Sequence, residues 1–234
     1  MNTNQQPPER VVKQDPGHLV VHSIFHTIQG EGPFAGQPAV FVRLAGCNLQ
    51  CPLCDTEYTA QRTPLNPSTI VEYVQLAPLH RTPLVVITGG EPFRQPIAGL
   101  CRALLSAGHT VQIETNGTLY RDDLPYGHEN LHIVCSPKTQ RVHPDLLCHV
   151  TALKYVATAD SLDVRDGLPI HALEHPNKSG LYRPPADWKG TIFLQPVDEQ
   201  DEHRYADSLR AVVLSCQRHG YRLCLQLHKI IGLD

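Results

Sequence analysis

Apolar residues along this chain recur in two rhythms. Short runs rich in Val, Ile, Leu and Phe, bounded by Gly, Pro, Asn or Asp, predict strands over 19–25, 39–44, 84–88, 110–114, 131–135, 153–156, 191–195 and 221–227. Between them the spacing lengthens to that of helices. Over 95–107, Ile97, Leu100, Leu104 and Leu105 share one face, and Gly108 supplies a left-handed cap. Over 201–219, acidic residues open the segment, Tyr205, Leu209, Val212, Val213 and Cys216 form its buried stripe, and Gly220 closes it.

Strands that alternate with helices predict an α/β fold with a parallel sheet, because a helix is the usual route back to the same sheet edge. A closed eight-unit barrel takes about 250 residues. The chain has 234, and part of that length goes to a polar start and a proline-rich stretch over 183–188. A partial (β/α) barrel of roughly six parallel strands is therefore expected, as one domain over 18–234. Residues 1–17 are polar and proline-bearing, without the apolar core of a secretory signal or membrane span, and are expected to form a disordered N-terminal tail on a cytoplasmic protein.

Charge and cysteine content narrow the chemistry. Twenty Lys and Arg oppose 23 Asp and Glu, for a net charge of -3, and no basic run marks a nucleic-acid surface. A small-molecule substrate is expected, with no nucleic-acid partner and no membrane. Eight cysteines without a secretory signal point to metal chemistry in a reducing compartment rather than to a disulfide framework. Cys101, Cys135, Cys148, Cys216 and Cys224 lie mostly in apolar runs and are expected to fill the core. His171 and His175 stand four apart but lie between Pro169 and Pro176, and are read as solvated rather than as a second metal site.

The remaining three cysteines crowd one loop. Cys47, Cys51 and Cys54, spaced CxxxCxxC, can ligate three irons of a cubane 4Fe-4S cluster and leave the fourth open. The same spacing suits a zinc knuckle that borrows a histidine or Cys101. This loop follows one predicted strand, and Gly89-Gly90-Glu91-Pro92, Thr115-Asn116-Gly117, Ser136-Pro137-Lys138, Gln195-Pro196-Val197-Asp198 and His228-Lys229 follow others. Loops at the carboxyl ends of parallel strands share one face, where ligands bind.

CxxxCxxC followed by Gly89-Gly90-Glu91-Pro92 resembles the radical S-adenosylmethionine (SAM) superfamily. Several further segments look like the 7-carboxy-7-deazaguanine synthases (the QueE type): Thr27-Ile28-Gln29-Gly30-Glu31-Gly32, Arg43, Cys54-Asp55-Thr56, Ile113 to Gly117, Ser136 to Lys138, Gln195-Pro196 and Gln226-Leu227-His228-Lys229. They occur in order from about Val21 to the last residue. The resemblance implies a lyase that rearranges 6-carboxy-5,6,7,8-tetrahydropterin to 7-carboxy-7-deazaguanine with loss of ammonia, towards queuosine and other deazapurines. It implies a 4Fe-4S cluster on Cys47, Cys51 and Cys54, SAM chelated at the open iron, and Mg²⁺ held through Thr56. An electron donor such as a flavodoxin and a homodimer are implied as partners.

The same resemblance distributes the other roles. SAM is expected against Leu53, Cys54, Asp55, Gly90, Ser136, Pro137, Lys138, Gln195, Pro196, Val197 and Asp198; Glu114 either touches the SAM ribose or caps the turn at Asn116 and Gly117. Arg43 is expected to pair with the substrate carboxylate, with Ile28, Gln29, Gly30, Glu31, Thr88 and His228 lining the pterin pocket. The chain terminus, Asp234, offers two carboxylates for the aminopyrimidinone edge, and either can serve. Leu53 departs from the family, where this position is commonly aromatic and packs on adenine. A glycyl-radical activating enzyme shares the cysteine spacing but gives no reason for the ending at 226–229.

Overall fold

The computed structural model describes residues 4–76, 84–173 and 180–233. Nine strands form one open sheet in the order β3-β1-β2-β4-β5-β6-β7-β8-β9. They are β1 (Leu19–Ile28), β2 (Pro38–Leu44), β3 (Thr63–Leu65), β4 (Leu84–Gly89), β5 (Thr110–Thr115), β6 (Leu131–Cys135), β7 (Val150–Ala157), β8 (Thr191–Pro196) and β9 (Arg222–Leu223). Among the described residues five α-helices accompany them: α1 (Pro67–Gln75), α2 (Ala98–Ser106), α3 (Pro144–Leu147), α4 (Glu202–His219) and α5 (Leu227–Ile230).

From β2 through β9 every neighbouring pair is parallel, so the partial barrel of roughly six long parallel strands is present. The first predicted strand departs from it, because β1 runs antiparallel to β2. Only residues 29–37 join the two, too few for a crossover helix, so they form a hairpin. The added edge strand β3 pairs antiparallel with β1 and carries Pro64, which an edge tolerates. The strand predicted over 221–227 keeps only Arg222 and Leu223, because the chain then leaves the sheet and Leu227 donates to the Gly30 carbonyl.

Period-two alternation divides the sheet into two faces. Val85, Ile87, Val111, Ile113, Ile133, Leu153 and Tyr155 pack into the main core, which also takes Ile97, Leu100, Cys101, Leu104 and Leu105 from α2 and its N-terminus. The intervening positions Arg43, Thr88, Glu114, Ser136, Lys154 and Gln195 line a cavity on the opposite face. Helix α4 is capped by Asp201 and ends at left-handed Gly220, as its sequence predicts. Its fully buried residues are Ser208, Val212, Ser215 and Cys216, while Tyr205, Leu209 and Val213 are partly covered.

Within the tail expected to be disordered over 1–17, residues 4–12 are tied to the rest of the fold. Asn4, Glu9 and Val12 donate backbone N–H groups to the carbonyls of Pro52, Cys47 and Arg94. Polar, proline-bearing composition conceals this, because the ordering comes from hydrogen bonds and not from apolar burial. Of the cysteines expected in the core, Cys101, Cys135, Cys216 and Cys224 are buried, but Cys148, at the end of α3, is exposed.

Candidate active site

At the carboxyl ends of the parallel strands lies a cavity of about 880 Å³, a size that accommodates a cofactor and a small substrate together. The loop after β2 brings Cys47, Cys51, Leu53, Cys54, Asp55 and Thr56 to its wall. Cys47 and Cys51 are buried, and burial pushes their thiols up to about 12 and about 11; Cys54 is raised for the same reason. Three sulfurs on one wall, close enough to feel one another's charge, suit a 4Fe-4S cluster with one uncommitted iron. Cys101 lies in the apolar core under α2 and not in this wall, so it does not complete a zinc knuckle.

The glycines of the loop after β4 are required sterically. A side chain at Gly90 would collide with the Gly46 carbonyl and the Cβ of Cys47, so the Gly-Gly backbone is pressed directly on the cysteine loop. Glu91, fully buried, accepts from the Phe93 and Asn116 N–H groups at 3.0 and 2.7 Å and from the Thr115 hydroxyl at 2.8 Å. Burial raises its pKa to about 7. Asn48 extends the tie, accepting from Asn116 at 3.0 Å and donating to Thr118 at 2.8 Å. The loops after β2, β4 and β5 are therefore tied to one another.

At the other end of the cavity, strands β4, β5, β7 and β8 supply a hydrogen-bonded cluster. Glu114 accepts from Gln29 at 3.2 Å, Gln112 at 3.0 Å and Thr88 at 3.2 Å. It does not cap the Asn116-Gly117 turn; Glu91 and the Asn116 side chain do that. Lys154 and Glu31 form a buried ion pair. Burial would neutralise Glu31, but the Lys154 ammonium prevails and holds its pKa below the usual carboxylate range, while Glu31 raises Lys154 in return. Gln195 and Gln226 also donate to Glu31, at 3.2 and 3.0 Å. The Arg43 guanidinium lies over the Phe25 ring, 5.1 Å from its centroid.

The C-terminal segment closes this end. A side chain at Gly30 would strike the His228 ring, and burial lowers the pKa of that imidazole, favouring its neutral form. Lys229 reaches Asp198 at 2.8 Å and Asp55 at 3.3 Å, and Gln226 also donates to Asp55 at 3.3 Å. Lys138 is directed at Ser136; burial lowers its pKa, and the nearby cysteines oppose that.

The cavity wall thus collects nearly every residue the sequence singles out. Ile28, Gly30, Pro137 and Pro196 stand beside it rather than in it. Asp234 and His175 lie outside the described residues. Sequence reasoning missed Lys154, Phe25 and Phe41 in the wall and Gln112 behind it, which donates to Glu114, although a lysine and a glutamine inside otherwise apolar strands were visible signals. It also missed Leu173, which approaches the cysteine loop by accepting from the Leu53 N–H at 3.2 Å.

Three comparisons agree with this geometry. Residues 42–129 match the radical SAM superfamily. A 7-carboxy-7-deazaguanine synthase of Rhodospirillum rubrum is 46% identical over 230 residues, covering 94% of this chain and 95% of that protein. One from Rickettsia prowazekii is 37% identical, covering 97% and 94%. The crystal structure of QueE from Escherichia coli superposes with a TM-score of 0.69 at 26% identity, covering 89% of this chain and 94% of that one.

Proposed function

The chain belongs to the 7-carboxy-7-deazaguanine synthases of the radical SAM superfamily, and on that premise we propose that its cavity divides into a SAM half at the cysteine loop and a pterin half around Glu31 and Glu114. Members convert 6-carboxy-5,6,7,8-tetrahydropterin to 7-carboxy-7-deazaguanine with loss of ammonia, in 7-deazapurine biosynthesis. This excludes the zinc-module and glycyl-radical-activating readings of the cysteine spacing.

When bound, the cluster and SAM would supply the one-electron radical chemistry of the superfamily, and this chain's residues would hold them against the pterin. Cys47, Cys51 and Cys54 hold three irons, and the close-packed backbone at Gly90 receives the SAM ammonium. Ser136, Pro137, Lys138 and the segment from Gln195 to Asp198 flank the nucleoside. With Leu53 in place of an aromatic residue, the adenine meets an aliphatic surface.

In the pterin half, ionised Glu31 accepts from the aminopyrimidinone N–H groups and neutral His228 adds a directed hydrogen bond; Glu114, expected against the SAM ribose, is reassigned to this ring because its donors Gln29 and Thr88 belong to the pterin pocket. Arg43, braced on Phe25, takes the substrate carboxylate. The Thr56 hydroxyl, beside the Asp55 carboxylate at 3.4 Å, is a hard-oxygen donor suited to Mg²⁺. A flavodoxin-type donor and a homodimer complete the proposal, as does a cytoplasmic location; no described helix is long and apolar enough to cross a membrane.

The observation that carries this assignment is the meeting, in one cavity, of three cysteines at one end and the Gln29, Glu31 and Glu114 acceptors at the other. Anaerobic protein with reductant, SAM, Mg²⁺ and the carboxytetrahydropterin is expected to yield the deazaguanine product by mass spectrometry. Arg43→Ala is expected to raise the pterin KM at least tenfold with SAM affinity unchanged. Loss of SAM binding instead would place Arg43 in the wrong half.

A further inference from the structure

The twelve-residue loop over 45–56 contains no helix or strand and has few internal hydrogen bonds, one being Cys54 N–H to the Cys51 carbonyl at 3.1 Å. Holding such a segment in one conformation is entropically costly. Asn48 and Asp55 are held from the cavity side, and on the opposite side several contacts come from residues 4–9. The Asn4 backbone donates to the Pro52 carbonyl at 2.9 Å and its side chain to the Cys51 carbonyl at 3.1 Å. Gln6 donates to the Thr56 carbonyl at 2.9 Å while accepting from the Tyr58 N–H at 2.8 Å and the Thr59 hydroxyl at 3.3 Å. Pro8 bridges to Cys47, and the Glu9 N–H donates to the Cys47 carbonyl at 2.6 Å.

The strap is itself anchored. Glu9 pairs with Arg62 through both oxygens, at 2.7 and 3.0 Å, and with the buried Arg94 at 3.2 Å. Arg94 also donates to the carbonyls of Arg10 and Ala45, and Arg121 to that of Val12. None of residues 4–12 lines the cavity, so the strap grips the cysteine loop from its far side.

We propose that residues 4–9 form the outer wall of the cluster site, with Asn4, Gln6 and Glu9 as positioning residues that keep the three sulfurs and Thr56 turned towards the cavity before and after the cluster is loaded. The inference rests on the assignment of Cys47, Cys51 and Cys54 to a cluster. Releasing the strap lets the loop open locally while the sheet stays folded.

The test compares wild type with Asn4→Ala, Gln6→Ala and a deletion of residues 2–9. In anaerobic apo-protein, iodoacetamide labelling is followed residue by residue by mass spectrometry, with exposed Cys148 as the internal reference and buried Cys101 as the indicator of global unfolding. Gln6→Ala is expected to speed labelling of Cys51 and Cys54 about tenfold, since several hydrogen bonds are lost together, with Cys101 and Cys148 unchanged. After reconstitution, bleaching of the cluster in air should accelerate by a similar factor. Wild-type labelling and bleaching rates in both point variants would overturn the proposal, as would labelling that rises equally at Cys101. A wild-type protein that takes up no cluster would instead defeat the cluster assignment, and the two failures are thereby distinguished.

Discussion

The buried pair of Lys154 and Glu31 sets the charge at the proposed pterin end of the cavity. Removing one partner leaves the other charge without compensation, so Lys154→Met is expected to cost about 3 kcal/mol, measured by denaturant unfolding of the apo-protein. The double variant Lys154→Met with Glu31→Gln should recover much of that loss, and equal destabilisation in both would show that the pair is not coupled. Glu91 gives a pH signature. Its folded pKa, about 7, is raised above the ordinary value of 4.5 by burial. Its favourable contribution is therefore complete below 4.5 and is lost as pH rises through 7. Between pH 5.5 and 7 the apo-protein should lose about 2 kcal/mol through this one group, at 1.36 kcal/mol per pH unit, and little more above the folded pKa. Glu91→Gln should flatten that part of the profile, and an unchanged slope would contradict the assignment. The cysteines, Arg43, Thr88 and Glu114 were legible as residues, because polar groups at strand ends stand out against apolar runs. Lys154 was not singled out, because its partner, Glu31, is 123 positions away in the chain.

At the scale of elements, all eight sequence-predicted strands exist, because branched and aromatic residues at period two report burial directly. Strand direction was less legible: periodicity gives no sign of direction, and it was the short link between β1 and β2 that imposed the hairpin. The short β3 and α5 were invisible, since three- and four-residue elements carry too little pattern and are held by tertiary contacts. The contact between the end of β1 and α5 is testable. A methyl group at Gly30 meets the His228 ring, so Gly30→Ala should displace α5 and raise the pterin KM about tenfold or more, leaving cluster content and SAM affinity intact. An unchanged KM would remove α5 from the substrate site.

For the whole molecule, the site is a product of topology. Strands β2, β4, β5, β7 and β8, together with the β1–β2 hairpin, each contribute a group to one cavity, and the segment from Gln226 to Leu233 closes it. Lys229 joins the C-terminal segment to Asp55 in the cysteine loop and to Asp198 after β8, so the proposed pterin and SAM subsites share one fastening. The parallel fold and the face that binds ligands were legible, because alternation and strand-end motifs report them. The ordering of the N-terminal strap was not, because its hydrogen bonds run to backbone carbonyls that carry no sequence signature. The account depends on three sulfur ligands leaving one iron free to bind SAM, and electron paramagnetic resonance of the reconstituted, dithionite-reduced protein examines that directly. A cluster signal whose shape changes when SAM is added, and which is lost in Cys51→Ala, is the predicted result. A signal indifferent to SAM, or one that survives loss of that cysteine, would contradict it.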